Sequence, residues 1–148
     1  MKQTRIGYVD VKSGPVQFYV QRSKSFSEVD VPIPFDIKRV NEGLAMNLTT
    51  GVFTAPTSGT YLFDFSGVSD TMGKESFSVD IFINNKRVGS TFADSGSQFT
   101  VTLPSIWQLV KGNQVRLSIS KPSGTLFSTA TSPLIHFTGI LLEEDIFP

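Results

Sequence analysis

His136 is the single histidine of the chain, so any Ser-His-Asp relay or imidazole metal site would have to use it. It lies inside Leu134-Ile135-His136-Phe137, a run that reads as a strand. A rigid strand brings one imidazole and no second histidine, and the chain has no cysteine. The reading is therefore a hydrogen-bonded strand histidine whose remaining chemical role is a pH-sensitive contact, because histidine titrates near neutral pH. Glu143-Glu144-Asp145 is the obvious carboxylate cluster. Glycosidases need two converging carboxylates, but neighbours on a strand point to opposite faces, so this cluster reads as a solvated end of the last strand. Trp107 could stack on a sugar, yet within Ile106-Trp107-Gln108-Leu109-Val110 it reads as packing. Asn84-Asn85-Lys86-Arg87 reads as a hairpin tip with solvated charges. Asn47-Leu48-Thr49 is a glycosylation triplet and makes Asn47 the candidate acceptor.

Composition narrows the classes further. Thirteen basic and thirteen acidic residues cancel, so no cationic field favours nucleic acid or anionic lipid. Glycine loops of the GxGxxG or GxxxxGK type do not occur. No apolar run reaches bilayer-spanning length, so membrane insertion is not expected. The chain offers no catalytic constellation, no catalytic residue and no cofactor requirement, and reads as non-enzymatic. Its 148 residues amount to one domain with a core of useful size.

The elements that carry these residues are strands. Turn residues punctuate the chain at short intervals, without long helical periodicity. Strands are expected over 16–21, 51–56, 59–68, 77–83, 86–93, 98–110, 114–120 and 133–143. Asn84-Asn85 forms a hairpin turn between two of them. Pro32 and Pro34 confine 31–35 to an extended edge. Within Gly59-Thr60-Tyr61-Leu62-Phe63-Asp64-Phe65 the period of two puts three rings on one face, and Gly59 serves a tight entry turn. Residues 69–74 and 122–131 are polar loops, where recognition commonly sits on a rigid sandwich.

Two kinds of strand can be distinguished. Phe77-Ser78-Val79-Asp80-Ile81 and Gln114-Val115-Arg116-Leu117-Ser118-Ile119 alternate cleanly and read as having one wet face. The stretches 106–110, 134–137 and 140–142 are apolar in both phases and should be covered on both faces. A two-layer sandwich covers only one face of each sheet. An identical neighbour is the economical second cover, with the symmetry left open. Trp107, Leu109 or Val110, and Ile140 or Leu142 are the interface candidates.

Phe35, Asn41, Met46, Phe53 and Gly59-Thr60-Tyr61-Leu62-Phe63-Asp64-Phe65, in that order, resemble the signature of the C1q globular domain. Met46 stands where that family usually has an aromatic residue or leucine. Leu109-Val110-Lys111-Gly112-Asn113-Gln114-Val115 looks like its Leu-x-x-Gly-Asp-x-Val turn, and Phe137-Thr138-Gly139-Ile140-Leu141-Leu142 like its closing strand. The resemblance covers about residues 16 to 145. It implies an all-β, ten-stranded jelly-roll sandwich of two antiparallel sheets, C1q/TNF-like, assembled as a homotrimer. It also places the aromatic strand, the Ile106 region and the last strand in the inner sheet near the trimer axis. Residues 1–15 then read as a leader and 16–148 as the domain. Some family members carry calcium. Asp94 occupies the place of one of their carboxylates, but the loop Ser95-Gly96-Ser97 is shorter and Phe99 stands where the partner ligand falls. Asp94 is therefore the one metal candidate, and calcium of the family type is not expected. By analogy the function is multivalent, innate-immune-type recognition of a glycan or protein ligand through the loops. The alternatives are a cytokine-like ligand for a cell-surface receptor, or the trimerisation head of a stalked protein. The resemblance implies an extracellular location. Met1-Lys2-Gln3-Thr4-Arg5 has no apolar secretory stretch, so the chain reads as a segment of a longer secreted protein.

Overall fold

The structure is a computed structural model, and it describes residues 14–71, 76–94, 98–120 and 124–146. The leader expected at 1–15 lies almost wholly outside these residues, as do parts of the loops at 69–74 and 122–131. Among the described residues eleven strands follow one another: β1 Gln17–Arg22, β2 Ile37–Glu42, β3 Met46–Asn47, β4 Val52–Thr54, β5 Gly59–Asp70, β6 Phe77–Ile83, β7 Lys86–Ala93, β8 Phe99–Leu109, β9 Gln114–Ile119, β10 Thr125–Phe127 and β11 Ile135–Glu144. They form two antiparallel sheets. One has the order β10-β5-β11-β1-β2 with β8 on the free edge of β5; the other has the order β3-β4-β9-β6-β7.

The core between the sheets is aromatic. Tyr61, Phe63 and Phe65 of β5 are fully buried on one face, as their spacing requires. Phe18 of β1, Phe53 of β4 and Phe137 of β11 join them. Phe18 sits edge-on to Phe137 at 5.0 Å between centroids, and Phe53 edge-on to Phe63 at 5.4 Å, the tilted geometry that ring quadrupoles favour. Asn41, at the end of β2, donates from Nδ2 to the Met46 carbonyl at 2.8 Å. It thereby ties the larger sheet to the start of the smaller one.

Several expectations change. Gly59 is the first residue of β5 and not part of a turn, and it lacks a Cβ because of a close approach: a Cβ there would stand 2.3 Å from the Glu143 carbonyl oxygen. β2 is a mostly exposed edge strand that the sequence reading did not assign. The polar stretch 122–131 contains β10, whose Leu126 is fully buried and bridges Phe26. The 31–35 segment does run extended, along β9, through the bridge Pro32–Ser118. Most consequential is β6. Its polar face is not wet, for Ser78 and Asp80 are buried.

Candidate functional site

Opposed residues of an antiparallel ladder share a face, so register identifies what the larger sheet turns outward. One lateral row is Ile106–Leu62–Ile140–Gln17, crossing β8, β5, β11 and β1. The next is Pro104–Asp64–Thr138–Tyr19–Val40. The third is Thr102–Ser66–His136–Gln21. Ile106 is 60% exposed and Leu142, at the β-bulge of β11, 42%. Leu62, Ile140 and Tyr19 remain partly accessible. An apolar strip thus crosses the middle of the sheet on the side away from the core.

This register sorts the interface candidates. Leu109 is fully buried in the chain's own core, and Trp107 packs against that core, so both face inward. Val110, Ile140 and Leu142 lie on the outside. Leu62, Ile106 and Tyr19 belong with them. Leu62 was legible as the odd-phase neighbour of Tyr61 and Phe63, and Ile106 as that of Trp107.

His136 lies on the same outer face. The Tyr19 hydroxyl is 2.9 Å and the Gln21 amide nitrogen 3.0 Å from its Nδ1, and Gln21 Oε1 accepts from Arg39 Nε at 2.6 Å. Both contacts are satisfied when Nδ1 is the acceptor, which puts the ring proton on Nε2. Burial lowers the imidazole pKa, so the neutral ring is favoured. Ser66 faces it in the ladder, but the ring's hydrogen-bond partners among the described residues are Tyr19 and Gln21, not a serine or carboxylate. The carboxylate cluster does not converge either. Glu143 and Glu144 pair with Thr60 and Gly59 along β5, while Asp145 accepts from Gln108 Nε2 at 2.7 Å.

The other sequence candidates are scattered. Phe35, Phe53, Tyr61, Phe63, Phe65, Phe137 and Gly139 build the core. Asn47 is exposed at the end of β3, with its side-chain oxygen accepting from the Thr50 amide. Asp94 is exposed after β7, next to residues outside the description. Among the described residues no group of three or more His, Asp or Glu side chains gathers as a metal site. No helix of the described chain is long and apolar enough to cross a membrane.

The fold and this surface define a class: a jelly-roll sandwich whose larger sheet carries an apolar strip on its outer face. The family model of the C1q domain matches residues 17–142, and the chain belongs to that family. It is 30% identical over 138 residues to Caprin-2 of Danio rerio, covering 88% of this chain and 14% of that protein. It is 27% identical over 131 residues to complement C1q tumor necrosis factor-related protein 2 of Mus musculus, covering 86% of this chain and 43% of that one. The chain therefore spans less than half the length of either relative. Among solved structures, the globular domain of zebrafish complement 1qA protein superposes with a TM-score of 0.72 at 18% identity, over 88% of this chain and 99% of that one. Eiger TNF from S. frugiperda gives 0.71 at 11% identity, over 92% and 98%. These likenesses establish the fold, which is shared by C1q and TNF domains.

Proposed function

We propose that this domain is a non-enzymatic, homotrimeric recognition module of a secreted protein, in which three copies turn the outer faces of their larger sheets toward a common axis. One observation carries this reading: the strip formed by Ile106, Leu62 and Ile140, with Leu142 and Tyr19 beside it, is left accessible by its own chain. Removing such surface from water is the main driving force for association, and a closed ring of identical copies covers it without leaving an open edge. The expected function is multivalent capture of a glycan or protein ligand, with three weak contacts acting together. The test is solution mass by analytical ultracentrifugation at micromolar concentration. A particle three times the 16.2 kDa chain is expected, and a well-behaved single-chain particle would sink the proposal.

A signalling ligand gripped by a cell-surface receptor is the second reading, favoured by the fold shared with Eiger TNF. Retention on isolated receptor ectodomains without retention on glycans would select it. A third reading is the trimerisation head of a longer protein, supported by the relatives, of which the matched segment is only a part.

A further inference from the structure

The smaller sheet holds a feature that the association proposed above does not use. On its outer face one ladder row is Ser118–Asp80–Ser90, across β9, β6 and β7, and the adjacent row pairs Ser78 with Phe92. The Asp80 side chain is 2% exposed. It accepts from Ser90 Oγ at 2.6 Å and from Arg87 Nε at 3.0 Å. The Arg87 guanidinium also lies over the Phe82 ring, 5.5 Å from its centroid, with Arg116 over the same ring at 4.5 Å. The Ser78 and Ser120 hydroxyls bond to each other. Together Ser78, Asp80, Arg87, Ser90, Phe92 and Ser120 line an open cleft of about 340 Å³. Phe92 stands at its rim, 60% exposed.

We propose that this cleft binds a neutral saccharide. A buried carboxylate needs partners to offset its desolvation, and here the partners hold it in one orientation at the floor of a depression. With only 2% of its side chain exposed, Asp80 acts from beneath: it fixes the Ser90 hydroxyl and the Arg87 guanidinium, and Arg87, 54% exposed, has further N–H groups to donate to ligand hydroxyls. The paired serines add hydroxyls that both donate and accept. A sugar ring presents hydroxyls at its edge and C–H groups on its face, and Phe92 supplies the apolar surface for that face. The volume falls at the small end of ligand pockets, which begin near about 300 Å³. Charge decides between classes of ligand. Arg87 is already neutralised by Asp80, so nothing in the cleft favours phosphate, sulfate or a carboxylate. One carboxylate also falls well short of a calcium shell of about six to eight oxygens. The site lies on the sheet rather than in the loops, and it rests on the recognition reading above only for the kind of activity.

The test is a printed array of neutral, sulfated and sialylated glycans probed with the wild-type protein, Phe92→Ala and Asp80→Asn. Phe92→Ala removes an exposed ring and leaves the core untouched, so it reports on binding even if Asp80→Asn fails to fold. Retention of neutral glycans by the wild type is expected, with a loss of at least about tenfold in Phe92→Ala, equivalent to about 1.4 kcal/mol. Retention unchanged by Phe92→Ala, retention of anionic glycans alone, or no retention would each overturn the proposal. Mass measured on the same preparation separates the two ideas. A trimer that retains no neutral glycan sinks the cleft and leaves the assembly standing. A single-chain particle that retains one through Phe92 does the reverse.

Discussion

Gly139→Ala tests the aromatic core most directly. Gly139 lies in β11 between Phe18 of β1 and Phe63 of β5, its partners in the two ladders. A Cβ added there would stand 2.2 Å from Cε2 and 2.6 Å from Cζ of the Phe18 ring. Carbon atoms rest at about 3.5 Å or more, so the ring would have to retreat by about 1.3 Å. It cannot do so freely, because Phe137 is centred 5.0 Å away, Phe53 5.5 Å and Phe63 6.3 Å. The expected cost is at the top of the overpacking range, about 3 kcal/mol. For a domain of this size that corresponds to a melting shift of roughly 6–12 °C. The mechanism, more than the magnitude, is what the assay should isolate. In a Phe18→Leu background the ring is gone, and the glycine substitution should cost at least about 1.5 kcal/mol less. Urea denaturation of the four proteins at one fixed concentration closes the cycle, the concentration being fixed because association and stability are linked. If the two substitutions simply add, within about 0.5 kcal/mol, the ring contact is not the reason that position 139 is glycine.

Leu62→Asp and Leu142→Asp place carboxylates on the outer apolar strip and should give single-chain particles or precipitate; either variant keeping the parent's fold and mass would remove its residue from the proposed contact. Tyr61 donates from its hydroxyl to the Thr57 carbonyl at 2.7 Å, and burial pushes its phenol up to about 12, so it remains a donor throughout the working range. Tyr61→Phe should cost about 1 kcal/mol and Tyr61→Ala about 3–5 kcal/mol, compared by the same denaturation; equal losses would mean that the ring contributes little. His136 gives a pH signature. Its folded-state pKa is lowered, so the unfolded chain takes up the proton first. Its stability contribution is intact above about pH 6.5, fades as pH falls below that value, and is gone below the folded-state pKa. His136→Gln should flatten that component in a pH series of melting curves, and superimposable profiles would rule it out.

What the sequence revealed, and what it hid, follows from how each residue makes its contacts. Tyr61, Phe63 and Phe65 announced their strand because a period of two and three rings allow no other placement. The doubly apolar stretches of β8 and β11 marked the sheet whose outer face carries the apolar strip, though the rows beside it hold Asp64, Thr138, Ser66 and His136, and once the phase is known Trp107 and Leu109 separate from Ile106 and Val110. β2 escaped because an edge strand tolerates Lys38, Arg39 and Glu42 without any alternation to mark it. β10 escaped because its single buried anchor, Leu126, sits among Ser, Thr and Gly. Asp80 could not have been found at all. A polar residue at an alternating position looks solvated, and only the partners arriving from β7 and β9 bury it.

The larger sheet is closed by joining residue 17 to residue 140, and this sets the timetable on the ribosome. β5 and β8 can zip together while the chain is still being made, but β11 is the strand that fits between β5 and β1. Until it emerges, the nascent polypeptide holds two open strand edges backed by aromatic side chains, the kind of surface that invites wrong partners. A premature stop before Ile135 would therefore leave no slightly smaller domain. It would leave an unclosed one, with β1 and β5 lacking the strand that joins them.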